Sequence, residues 1–257
     1  MNCKSIILLI VVLLFWGNAE ARKKKGKKVE EVQTESAYRK FFKGKACETA
    51  KGMITLHKMD GRVYFEIPLA LMGREMLMGS TISEITNNGF GSVGEKPKGL
   101  LYISFVRCDS VISLKQLTAQ YDTNEENLKQ RIKESTIPAT IKNFKITTYN
   151  EDSTAVVIDM TDYLVSADEA INPFSPWAPI LAGGERVMEK EFRRENSQVV
   201  SIKAFEDNVS VKSSLTYGLS LKNKVMYIFQ REPFTAVMTR SFILLPEHPM
   251  RPRLADP

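Results

Sequence analysis

Met53-Ile54-Thr55-Leu56-His57-Lys58-Met59 is followed by Asp60-Gly61 and then by Arg62-Val63-Tyr64-Phe65-Glu66-Ile67. The first run alternates apolar and polar residues, the period of a strand with one face buried. Asp60-Gly61 suits a two-residue type I′ turn, in which both central residues take positive φ. The second run returns as the partner strand. An antiparallel hairpin follows, and it puts His57 on the polar phase of the alternation, where solvent exposure is expected.

The same grammar extends outward from this hairpin. On its N-terminal side, Ser36 caps a short helix through Phe42, and Gly44 ends it. On its C-terminal side, Pro68 opens a helical turn through Leu69, Leu71 and Met72, Gly73 closes it, and a strand runs from Glu75 to Ile85. The glycine-rich stretch from Asn87 to Gly99 is a loop; no Gly-Lys-Ser/Thr follows it, so it is no phosphate cradle. Leu100–Arg107 and Val111–Leu117 form a second hairpin about Cys108-Asp109-Ser110. Asp122-Thr123-Asn124 precede acidic residues and start a helix to about Glu134. Strands follow at Ile141–Tyr149 and Thr154–Met160, then a short helix at Thr161-Asp162-Tyr163-Leu164. Prolines and glycines break residues 166–184 into a long irregular loop. Val199–Phe205, Val209–Tyr217, Val225–Phe229 and Phe234–Leu245 complete the strand candidates. The pattern predicts a mainly β, α+β fold of antiparallel strands and hairpins with a few short helices. A small helix-plus-hairpin module is expected over 36–85 and a β-rich domain over 86–257.

The N-terminus differs in kind. Lys4, the apolar run from Ile6 to Trp16 and Ala19-Glu20-Ala21 predict a signal peptide over 1–21, hence export to the periplasm or the outer surface. Residues 22–35 then read as a basic disordered linker. Seven of the 36 Lys and Arg lie at Lys4 and in 22–28, which leaves 29 basic residues against 29 acidic ones from Val29 onward. A neutral body argues against nucleic acid as a partner. The basic tail supports, at most, weak contact with an anionic surface.

Candidate chemistry is sparse. The chain has two histidines, His57 and His248, and no His-Glu-x-x-His, so it lacks the ligand set of a zinc hydrolase. There is no Gly-x-Ser-x-Gly elbow. A Cys–His pair of Cys47 or Cys108 with His57 requires the fold to bring them together. Cys47 and Cys108 are candidates for a disulfide in an exported chain, or equally for two separate buried thiols. The carboxylate pairs Asp159/Asp162 and Glu151/Asp152 sit where turns and helix caps need them. Phe174 and Trp177 mark the long loop either as a contact surface or as a segment packed onto the body. Asn208-Val209-Ser210 fits a glycosylation acceptor. No catalytic, cofactor-binding or metal-binding residue is assigned.

Several stretches carry a resemblance: Thr49-Ala50-Lys51-Gly52-Met53-Ile54-Thr55-Leu56-His57-Lys58, Tyr64-Phe65-Glu66-Ile67-Pro68, Leu71-Met72-Gly73-Arg74-Glu75-Met76-Leu77, Tyr149-Asn150-Glu151-Asp152-Ser153-Thr154-Ala155-Val156-Val157-Ile158-Asp159, and Leu244-Leu245-Pro246-Glu247-His248-Pro249-Met250-Arg251-Pro252-Arg253-Leu254-Ala255-Asp256-Pro257. Together they resemble the N-terminal, domain-of-unknown-function region of large bacterial exported zinc-dependent metalloproteases. The resemblance implies a non-catalytic module that packs against or restrains a protease domain, in cis or in trans. Zinc is expected only in that domain, downstream of the point where this sequence stops. The alternative is a stand-alone exported β-rich binding module that uses the 166–184 loop for contact.

Overall fold

The hairpin that opens the reading is the hinge of the architecture. The computed structural model describes residues 35–117, 125–175, 188–221 and 232–247. Strand β2 (Thr55–Met59) pairs antiparallel with β3 (Arg62–Pro68), Met59 opposite Arg62. Asp60 and Gly61 have φ of 52° and 72°, the positive pair that a type I′ turn demands.

The remaining elements follow in chain order. Helix α1 (Ala37–Phe42) and β1 (Glu48–Ala50) precede the hairpin. After it come β4 (Met76–Ile85), β5 (Leu101–Cys108), β6 (Val111–Gln116), helix α2 (Glu126–Ser135), β7 (Ala139–Tyr149), β8 (Ala155–Asp159) and helix α3 (Thr161–Leu164). β9 (Met188–Phe192), β10 (Gln198–Ala204), β11 (Asn208–Leu221) and β12 (Glu232–Leu244) complete them. The expected mainly β fold is present: among the described residues, twelve strands form one antiparallel sheet, ordered β1-β2-β3-β8-β7-β6-β5-β4-β12-β11-β10, with β9 also on β11. β1 and β9 escaped the sequence pattern, being short and not bounded by turn signals. The signal peptide 1–21, nearly all of the basic linker, Trp177, the strand expected at Val225–Phe229 and His248 lie outside the described residues.

The ends of this strand order meet. Met53 N donates to Phe205 O at 2.7 Å, and Lys58 Nζ to Val200 O at 2.6 Å. The link from β1 to β2 thus lies against the last strand, and the sheet curls back on itself. Its inner face gathers Leu56, Phe65, Ile158, Phe144, Leu114, Phe105, Met78, Phe242 and Val211 into one continuous core. Phe242 sits at its middle, 5.4 Å from the Phe65 ring and 6.3 Å from the Phe105 ring. From α3 and the loop behind it, Tyr163, Leu164, Ile171 and Phe174 enter the same core. Strands on either side of residue 85 interleave, since β3 pairs with β8 and β4 with both β5 and β12. Ser36 onward forms one compact unit.

The outer face carries a second, smaller layer. Tyr64, Met59 and Val157 point outward and are covered by Tyr38, Phe41 and Phe42 of α1 and by Cys47. Ser36 Oγ accepts from Arg39 N and caps α1, and Arg39 is anchored to Glu151 in the β7–β8 turn. A six-residue helix has little stability of its own, so these contacts hold it.

Candidate functional site

Alternation along β2 turns Leu56 inward and His57 outward, as the sequence predicts. The expected exposure of His57 is nevertheless corrected: it is 5% exposed. The physical reason is α1, whose Phe42 ring lies 4.7 Å from the imidazole. A polar strand phase faces solvent only when nothing is packed on that side.

Beneath α1 a polar chain assembles. His57 Nε2 lies 2.9 Å from Glu66 Oε2 on β3, and Tyr38 Oη donates to the same oxygen at 2.7 Å. His57 Nδ1 lies 3.0 Å from Thr49 Oγ1 and 3.8 Å from Cys47 Sγ. The hydrogen bond from His57 is the largest influence on Glu66; with Tyr38 and the nearby Lys51 it overcomes partial burial and holds the carboxyl below its usual range. Burial, then the bond to Glu66, pushes the Tyr38 phenol up, so it stays a donor. An ionised carboxylate only accepts, so Nε2 must carry the proton. In the neutral ring Nδ1 is then the acceptor, turned toward the Thr49 hydroxyl and the Cys47 thiol. The arrangement can accept a proton from either group while Glu66 orients the ring. Cys47 lines an open cleft of about 460 Å³ with Ala46, Glu48, Lys58, Met59, Asp60 and Gly61.

The other sequence candidates separate. Cys47 and Cys108 are both free thiols, so the candidate disulfide is not formed; the half-buried Cys47 meets His57, whereas the exposed Cys108 takes a 3.5 Å contact from Ser113 Oγ. Neither is a deeply buried thiol. Phe174 is not a contact residue: it is 1% exposed, with its ring 5.0 Å from Tyr217 and 5.4 Å from Phe234. Asp159 is spent on Arg62 and on the backbone N–H of Thr161, and Asp162 pairs with Arg194 at 3.5 Å. Asn208 opens β11 and donates to Asp207 at 2.7 Å.

Sequence reasoning missed one residue altogether. Arg240 of β12 is fully buried on the inner face of the sheet, opposite Ser80 of β4 and Val211 of β11. Its Nη2 donates to Ile171 O at 3.1 Å. The signal was present in the alternation Phe234, Ala236, Met238, Arg240, Phe242, which puts an arginine on the apolar phase.

Two family profiles match parts of the chain. Residues 35–85 match a domain of unknown function, DUF5118, and residues 95–257 match a second, DUF5117. No curated protein and no solved structure matches. Since the second profile spans well over half of its length, the chain belongs to the DUF5117 family of domains of unknown function.

Proposed function

We propose that this chain is a non-catalytic module of an exported zinc-metallopeptidase-like protein, packing against or restraining a protease domain held in cis or in trans. The observation that carries the reading is an outward apolar row across three strands. Ile243 of β12 lies opposite Leu77 of β4, which lies opposite Tyr102 of β5. Leu100, itself 55% exposed, leans over neighbouring Gly79, and Ile243 is 43% exposed. Contiguous apolar surface of this kind suits a partner domain.

The course of the chain supports the same face. Leu245 N donates to Glu75 O at 3.0 Å, Arg74 donates to Leu245 O at 3.2 Å, and Arg74 pairs with Glu247 at 2.7 Å. The segment leaving β12 is therefore pinned beside the apolar row as far as Glu247. The zinc of the whole assembly belongs to the protease domain, and the export signal at 1–21 to the same proposal. The alternative, a stand-alone binding module, draws on an open groove of about 790 Å³ between α1 and β7, lined by Tyr38, Asp109, Lys145, Thr148 and Tyr149.

The test is the native product of the producing cell, captured with an antibody to the region from Ser36 to Glu247. A mass well above 29.1 kDa, or a co-purified cross-linked chain, with tryptic peptides containing His-Glu-x-x-His, supports the reading. Ile243→Asp then weakens the union and speeds proteolytic separation. A product of 29.1 kDa or less that cross-links to no metallopeptidase sinks it.

A further inference from the structure

The core of the curled sheet holds a charge that the described residues do not neutralise. Arg240 is fully buried, and its Nε and Nη1 have no hydrogen-bond partner among them. Four hydroxyls share that condition: Tyr163, Tyr217, Ser80 and Ser213. Register places Ser80 directly across from Arg240, and Ser213 across from Met238, two residues along the same inner face. Tyr163 and Tyr217 are the groups whose fields reach the guanidinium, and burial draws the arginine down to about 10 against them.

An isolated buried polar group destabilises the fold, and an isolated buried charge does so more. Among the described residues, the acids whose charges reach Tyr163 and Tyr217 are Asp168 and Glu169, and both are engaged elsewhere. Glu169 receives Asn172 Nδ2 at 2.9 Å and lies 3.7 Å from Lys98 and 3.8 Å from Lys190. Asp168 accepts from Ala170 N at 2.9 Å. Every unmatched group in the cluster can donate, and the cluster carries one positive charge. The complement is a group with several acceptor lone pairs and one negative charge.

We propose that Arg240, Tyr163, Tyr217, Ser80 and Ser213 form a binding site for a small monocarboxylate. A carboxylate is planar, matches guanidinium donors and balances one charge. A phosphate dianion would bring more charge than the site neutralises. Met238 lies opposite Ser213, and the Phe174 and Phe234 rings lie 5.0 Å and 6.5 Å from Tyr217, so apolar groups flank these hydroxyls and the acid carries a short apolar substituent rather than further polar groups. Lys98 and Lys190, with side chains 16% and 17% exposed, stand beside Glu169 and add positive potential near the loop that covers Arg240. The site is independent of the docking face and of the Cys47–His57–Glu66 chain, so it stands or falls separately from the proposed function.

The experiment is thermal unfolding of the whole mature chain with sodium propionate or sodium benzoate, against sodium chloride and sodium phosphate at equal ionic strength. The expected result is a saturable rise in Tm with a carboxylate and none with chloride or phosphate. Tyr217→Phe keeps the ring and removes one donor; it weakens the apparent affinity about five-fold while barely changing the ligand-free Tm. Arg240→Met abolishes the response. If that variant does not fold, Tyr163→Phe replaces it, with the same expected loss as Tyr217→Phe. A carboxylate response that is absent, that never saturates, or that is unchanged in the tyrosine variants overturns the site. A response to phosphate alone overturns the assignment to carboxylates. In those cases internal water is what satisfies the arginine.

Discussion

Gly52 is where the curled sheet can be tested with a single methyl group. A Cβ built at this position lies 2.3 Å from Phe205 O, 2.6 Å from Phe205 N and 2.8 Å from Ala204 C, all backbone atoms of the last strand and its turn. Ordinary contact begins near 3.4 Å, so the two backbones must part by about 1 Å. The bond from Met53 N to Phe205 O, now 2.7 Å, would then stretch beyond hydrogen-bonding range. Overpacking of this kind costs about 1–3 kcal/mol. A buried donor left unpaired costs a similar 1–3 kcal/mol, and relaxation shares part of both, so Gly52→Ala should lose about 3 kcal/mol. For a domain of this size that is a fall in Tm of about 6–12 °C. Two controls separate sterics from backbone freedom. Gly99→Ala meets nothing within 4 Å and should stay within about 0.5 kcal/mol of the native chain. Gly61→Ala, at φ +72° with open space, should lose about 1 kcal/mol. Urea titration of the three variants, monitored by far-UV circular dichroism, gives the order directly. If Gly52→Ala costs no more than Gly99→Ala, the first and last strands do not meet as described, and the enclosed core fails with them.

Other consequences are smaller in scope. Glu66 has a folded-state pKa below its unfolded value, so it adds stability above the unfolded carboxyl range, and that contribution is lost as pH falls through the folded value. Glu66→Gln should therefore be less stable than the native chain at pH 7, and the gap should close on acidification; a gap that widens in acid contradicts the ionised assignment. Iodoacetamide followed by peptide mass spectrometry should label both Cys47 and Cys108 without prior reduction. His57→Gln should slow labelling of Cys47 several-fold and leave Cys108, which has no histidine contact among the described residues, unchanged; equal slowing at both would discard the Nδ1 assignment. Phe174→Ala should cost about 3–5 kcal/mol in chemical denaturation, the cost of a buried ring rather than of an exposed contact.

What was legible in the sequence was what local chemistry decides. Asp60-Gly61 demands positive φ whatever surrounds it, and the apolar alternation on either side follows the pleat, so the β2–β3 hairpin and most of the strands could be read directly. Ser36 caps α1 because its hydroxyl reaches a backbone N–H three residues on, another local event. What escaped was set by partners remote in the chain. His57 is on the polar phase and is buried all the same, because a helix anchored through Arg39 to Glu151 covers that phase, a contact across 112 positions. Cys47 reaches it for the same reason, since β1 pairs with β2 and places Thr49 opposite His57. Of the two alternatives left open for the cysteines, neither a disulfide nor a pair of deeply buried thiols is present: Cys47 lies beside His57 and the exposed Cys108 beside Ser113.

Arg240 is the opposite kind of case, and the more instructive one. Alternation from Phe234 to Phe242 puts residue 240 on the apolar phase, so periodicity alone marks the site as buried. A sequence reader discounts the mark, since arginine is almost never fully buried without a partner. In a sheet with one open face the long side chain could have reached water at an edge. This sheet curls until β10 lies against β2, and the Arg240 side chain is fully buried on its inner face. A charge on the buried phase of a strand, in a sheet whose ends meet, must then be answered from inside. The two observations that a strand-by-strand reading sets aside, an arginine out of phase and a glycine with no room for a methyl, are thus joined: Gly52 lets the sheet close, and closure commits Arg240 to a partner within the core.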